Sequence, residues 1–134
     1  MTDPQESATT RPVTGGCLCG KVRLTVPQQP LRVGLCHCLH CRKHHGAPFF
    51  AAAVFARGDV QITGKTRHYQ NRHFCGTCGS SVFAVSGDEI EVHIGALDQP
   101  NVFAPSYELW TDRRESWLPT LSGVRQYPRN RDTA

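Results

Sequence analysis

The sequence has no apolar run long enough to cross a bilayer. Its longest, FFAAAVFA at Phe49–Ala56, falls far short of the roughly 20 residues a spanning helix needs. The opening MTDPQESATTRPV has no apolar h-region, so no secretory signal is expected, and residues 1–13 read as a disordered lead-in. Charge is sparse at 19%, with a formal net charge of +4 and no run of one sign. Only Arg125, Arg129 and Arg131 cluster, and residues 122–134 read as a solvated basic tail. No membrane partner is expected, and nucleic acid is a weak candidate. An even cysteine count is also missing. Seven cysteines, tightly grouped and without a signal, do not make a disulfide framework. They point to metal ligation in a reduced, cytoplasmic setting.

Helical periodicity is nearly absent too, while alternation of apolar and polar residues recurs. Lys21–Val26 places Val22, Leu24 and Val26 on one face, as a half-buried strand does. Strands are expected at Phe49–Phe55, Asp59–Thr63, Thr66–Phe74, Ser81–Val85, Glu89–Ile94 and Tyr107–Trp110. Ser86-Gly87-Asp88 reads as a hairpin turn. Only Leu39–His45 suits a helix, with at most a helical turn at Glu115–Trp117. The 134 residues fit one all-β domain of small sheets with part of its stability supplied by metal.

Cys75-Gly76-Thr77-Cys78-Gly79 is the most specific local pattern. Two thiolates three positions apart reach one zinc with bonds of ~2.3 Å, and Gly79 lets the chain turn through positive φ. A redox dithiol would open a helix, whereas an alternating strand follows here. Cys17 and Cys19, two apart on an extended segment, present both sulfurs in one direction. Together the pairs complete a four-cysteine site, closed and therefore structural. Cys36, Cys38 and Cys41 remain, one ligand short. His37, His40, His44 or His45 can close the site, or water or a substrate can occupy an open, catalytic position. His37 and His40 should point away from a metal bound by their neighbours, whereas His44 and His45 have the reach.

GGCLCGKVRL at Gly15–Leu24, CHCLHCRKHHGAPF at Cys36–Phe49 and RHFCGTCGSSVF at Arg72–Phe83 resemble, in this order, the family of the glutathione-dependent formaldehyde-activating enzyme, which includes the related centromere protein V. HIGALD and ELWTDRRESWLP match more weakly, and the likeness runs over about residues 14–121. The resemblance implies a Mss4-like β-tent of small antiparallel sheets stapled by two zinc ions per chain. Cys17, Cys19, Cys75 and Cys78 would hold the structural zinc. Cys36, Cys38 and Cys41 would hold a second, catalytic zinc with a position open to a thiol. The doublet His44-His45 departs from the small residues expected there and keeps closure by His45 in play.

The implied activity is that of a carbon–sulfur lyase acting on glutathione or a similar thiol plus an aldehyde, as in S-hydroxymethylglutathione formation. Arg42, Lys43, His44 and His45 are the candidate substrate contacts, able to offset the charge of a thiolate-rich centre. The competing reading is a non-catalytic zinc-stapled module that binds protein or nucleic acid. It would need a closed second site and a surface of interleaved aromatic and basic residues. His68, His73 and His93 read as ordinary strand histidines, Trp110 and Trp117 as packing or a pocket wall, and Phe49 and Phe50 as core.

Overall fold

The computed structural model describes residues 12–131, so the first eleven residues of the lead-in lie outside the described residues. Among the described residues a three-stranded sheet joins β1 (Val13–Gly16), β2 (Arg23–Val26) and β5 (Gln61–Thr63) in the order β1-β2-β5. The larger sheet holds β3 (Arg32–Cys36), β4 (Phe50–Ala56), β6 (Thr66–Tyr69), β7 (Arg72–Cys75), β8 (Ser81–Ser86), β9 (Glu89–His93), β10 (Tyr107–Leu109) and β11 (Arg125–Gln126). Its order is β11-β10-β3-β4-β9-β8-β7-β6. One α-helix, α1 (Leu39–His45), follows β3. The architecture is all-β and Mss4-like. Two pairings depart from the antiparallel expectation, because β10 runs parallel to both β3 and β11. No described helix is long and apolar enough to cross a membrane.

Directly paired residues share a sheet face, and so do residues two apart on a strand. Val33, Ala53, Val92 and Phe83 pair across four strands and are buried. They pack with Val22, Leu24 and Val26 from the small-sheet side, and with Phe55 and Ile90, into one core. Full burial of side chains the size of Phe55 or Leu24 contributes about 1.5–3 kcal/mol each. The opposite face of the large sheet carries Cys36, Phe50, Ala52, His93, Glu91, Ala84 and Arg72, related by the same pairings. The alternation in Glu89–His93 therefore sends Ile90 and Val92 to the core and Glu91 and His93 to the face that bears the cysteine loop.

Several local expectations need correction. Thr66–Phe74 is a hairpin rather than one strand: Gln70 and Asn71 sit at φ 49° and 64°, and β6 pairs with β7 around them. Two successive left-handed residues give the twist a two-residue hairpin needs, and asparagine tolerates that region. Because the turn has no glycine, it looked like strand. Asp59–Thr63 shortens to β5 after a 3-10 turn at Arg57–Asp59, and Glu115–Trp117 forms a turn closed by the Leu118 N–H on the Glu115 carbonyl at 3.1 Å. Strand β3 was not expected, since Gly34 interrupts it. That glycine is required: a Cβ would come within 2.2 Å of the Tyr107 ring, which crosses the strand there.

Residues 125–126, inside the stretch read as a basic tail, form β11 against β10. The Trp110 N–H donates to the Arg129 carbonyl at 2.9 Å. The clustered arginines lie over aromatic rings of their own chain, Arg125 over Tyr127, Arg129 over Trp110 and Arg131 over Tyr107. Trp117 is 67% exposed and packs into no core.

Candidate metal centre

Cys17 leaves β1, Cys75 ends β7, and the turn after β7 returns Cys78 toward them. The four sulfurs of Cys17, Cys19, Cys75 and Cys78 lie within 4.8 Å of one another. The Cys17–Cys19 and Cys19–Cys75 separations are 3.6 and 3.7 Å. Sulfurs at the corners of a tetrahedral zinc site stand about 3.8 Å apart. The donor set therefore fits zinc in both number and spacing. Amides are turned toward the sulfurs: Val22 N–H donates to Cys17 at 3.2 Å, and Thr77 N–H to Cys75 at 3.4 Å. Gly79, at φ 79°, makes the turn that lets its own N–H bond the Cys75 carbonyl at 2.9 Å. Cys78 is held down to about 5 by the Ser80 hydroxyl and backbone N–H groups. Cys19 is pushed up to about 11; the Lys21 amide lowers it, but desolvation and the neighbouring sulfurs outweigh that. A bound cation would favour ionisation of all four sulfurs together near neutral pH.

The second group forms where β3 becomes α1. Cys36 is the last residue of β3, Cys38 caps the helix, and Cys41 lies in its first turn. Their sulfurs also lie within 4.8 Å of one another, and the group includes no histidine nitrogen. The Cys41 N–H donates to the Cys38 sulfur at 3.3 Å. Cys36 is held down to about 7, chiefly by its hydrogen bond with Cys41. The same contact, together with burial, pushes Cys41 far up. Three converging soft donors, two of them buried, again suit zinc.

The loop is held in place from below. His37 points away from the sulfurs into the protein, where its Nε2 lies 2.9 Å from Glu108 on β10. Both side chains are 2% exposed. Glu108 also takes Arg114 at 2.9 Å and the Gln126 amide at 2.6 Å. A buried carboxylate is tolerated only with such partners, and the network ties the cysteine loop to β10 and β11. The signal for it, a lone glutamate in ELWTD, is too weak to find by sequence.

The four expected substrate contacts have different environments. Arg42 pairs with Glu115 at 2.7 Å, and Lys43 is exposed. His44 Nε2 meets the Ser81 hydroxyl at 2.7 Å, which in turn meets His93 Nδ1 at 3.0 Å. His45 stacks on Phe50 with ring centres 4.5 Å apart, and its edge packs on His93 at the same distance. Burial holds His45 down to about 4 and His93 to about 3, so both rings are neutral at pH 7. Phe50, expected in the core, instead lines a pocket of about 220 Å³ with Cys41, His45, His93, Glu91 and Arg72. On the other side, Cys38, Leu39, His40, Trp110 and Arg113 line a second pocket of about 430 Å³. Trp110 stands there at φ 56°, a strained conformation for a bulky residue. Sequence reasoning assigned no role to Glu91 or Arg72; the alternation in EIEVHI was the available signal for Glu91.

The crystal structure of a Rhodobacter sphaeroides protein, a structural genomics target, has the same fold. It superposes with a TM-score of 0.52 at 24% identity, covering 66% of this chain and 90% of that one. No curated protein matches the chain. The family described as glutathione-dependent formaldehyde-activating enzyme matches residues 12–113, which include all seven cysteines. The chain belongs to that family.

Proposed function

We propose that the protein is a zinc-dependent carbon–sulfur lyase that joins glutathione, or a similar thiol, to an aldehyde. In this reading Cys17, Cys19, Cys75 and Cys78 hold a structural zinc, and Cys36, Cys38 and Cys41 hold a second one with a position open to the thiol substrate. The observation that supports it most is the incomplete donor set at Cys36, Cys38 and Cys41, bordered by a pocket on each side. His45 is stacked on Phe50 and packed edge-on against His93, and its nitrogens stand outside the donor group. That favours an open site over closure by His45.

Zinc at the second group would stabilise the substrate's thiolate at neutral pH and polarise an aldehyde oxygen. The chain's own residues hold the reactants. The sulfur forms a bond to the carbonyl carbon, the C=O π bond breaks, and the thiol proton ends on the new hydroxyl. Neutral His45 and His93 line the pocket without adding charge. Holding both reactants together supplies much of the acceleration such an addition needs. The clustered arginines stack within their own chain, so the nucleic-acid module gains no support from them.

Exchange spectroscopy on mixed glutathione and formaldehyde tests the proposal. The protein should speed exchange between free and S-hydroxymethyl glutathione at least tenfold over buffer. Exchange no faster than in buffer, with both metals bound, would contradict it.

A further inference from the structure

Three side chains from three elements form one hydrogen-bonded chain beside the 220 Å³ pocket. His44 of α1 meets the Ser81 hydroxyl through Nε2 at 2.7 Å, and that hydroxyl meets His93 Nδ1 at 3.0 Å. Both lengths are those of good hydrogen bonds. Ser81 opens β8 and His93 closes β9. His93 lines the pocket together with Cys41, and with its Nδ1 on Ser81 it has Nε2 left for whatever occupies that space. Only 4% of His93 is exposed, whereas His44, at the other end of the chain, is partly open to solvent. The chain therefore leads from a pocket wall toward the surface. Fastening α1 to the sheet does not require it, because His45 already stacks on Phe50 and His44 packs edge-on against Phe74. A hydroxyl can accept from one ring while donating to the other, so the chain has two arrangements, with all its hydrogens pointing one way or the other.

We infer that His93, Ser81 and His44 form a proton relay, which takes the thiol's proton out of the pocket and returns it to the new hydroxyl. The inference rests on the proposed thiol–aldehyde reaction and assigns the groups that move its proton. As the thiol ionises, its proton passes to His93 Nε2, the Nδ1 proton of His93 passes to Ser81 Oγ, and the Ser81 hydroxyl proton passes to His44 Nε2. The sulfur is then a thiolate and His44 an imidazolium. Once the carbon–sulfur bond has formed and the C=O π pair has moved onto oxygen, the three transfers run in reverse. His93 Nε2 protonates the alkoxide, and His44 is neutral again. Thiol and aldehyde have become the S-hydroxyalkyl adduct with no proton gained or lost. His93 is neutral before and after each passage and changes only which nitrogen bears hydrogen. Its burial, which holds it down to about 3, demands that. Burial and the charge of Arg72 disfavour the cation at His44, His45 and His93 alike, but His44 is the least enclosed of them, so the stored proton rests there.

The test compares two variants of the full chain in glutathione–formaldehyde exchange, with glutathione binding read separately from the sulfur-to-metal absorption of the cobalt form. Positioned acid–base groups typically contribute 10²–10⁴-fold, so Ser81→Ala should lower the maximal exchange rate at least about tenfold. Its thermal transition, its half-saturating formaldehyde concentration and its glutathione Kd should stay near native. His44→Gln places an amide N–H where Nε2 stands and keeps the hydrogen bond to Ser81, but an amide cannot take up the proton. It should lose a comparable factor with the same binding. A loss in Ser81→Ala alone, with His44→Gln at the native rate, would show a bond that merely positions His93 and would overturn the relay. Native rates in both variants, or losses confined to the half-saturating concentration, would overturn it too and leave the thiol reading intact. Exchange no faster than in buffer for the native protein would remove the proposed reaction itself, and the relay with it.

Discussion

Replacing Cys78 by serine is expected to leave a protein that does not fold. The four-cysteine group joins residues 17–19 to residues 75–78, and the Cys19–Cys75 contact alone spans 56 positions of sequence. Such a link has to be closed against the entropy of a long loop. Structural zinc contributes about 10 kcal/mol or more in small domains, comparable to the whole net stability of about 5–15 kcal/mol. The core it supports is modest and includes Cys17 and Cys75 themselves, beside Val22, Leu24, Val26 and Val82. Loss of one ligand should therefore give insoluble protein, or soluble protein without a cooperative thermal transition. A variant that melts within a few degrees of the native protein would show that the group is dispensable.

Cys38→Ser should act in the opposite way. Its three-sulfur group closes within six residues, from Cys36 to Cys41, on a segment already fixed by β3 and by the buried His37–Glu108 contact. Losing this metal removes no long-range link. The fold should survive, with thermal stability close to native and one metal fewer per chain. Catalysis should not survive. Removing even an indirect partner of a metal ligand costs 10–100-fold in affinity or activity, so loss of a direct ligand should cost at least about 100-fold in glutathione–formaldehyde exchange. If Cys38→Ser unfolds the protein as readily as Cys78→Ser, the division into structural and catalytic groups fails. If it exchanges at the native rate, the second group is not the site of reaction.

The sequence carried the cysteine groupings because ligand spacing is a local property. Cys75-x-x-Cys78 and Cys17-x-Cys19 each present two sulfurs to one point, and the structure brings these four together. Strands with clean alternation, such as Glu89–His93, were legible for the same reason. What could not be read depends on contacts made at a distance. Strand β3 is defined by its neighbours β4 and β10 more than by its own residues, and Gly34 makes sense only once Tyr107 lies across it. The Gln70–Asn71 turn lacks the glycine that marks most such hairpins. Phe50 and His93, read as core and ordinary strand residues, meet His45 only after β4, β9 and α1 come together. Glu91 and Arg72 lie 19 positions apart in sequence and come into one cross-strand row, with Ala84 between them, only once β7, β8 and β9 pair.

X-ray absorption at the zinc edge, with and without glutathione, tests most directly whether the Cys36–Cys41 group keeps a place for a thiol. Two zinc ions, one with four sulfurs and one with three, average about 3.5 sulfurs per metal. The account predicts that glutathione raises this average to about 4, with loss of the light-atom scatterer at the second metal. A mean that stays near 3.5 in saturating glutathione, with an imidazole shell that disappears in His45→Ala, would show a closed site of three cysteines and His45 and would contradict the proposed enzyme.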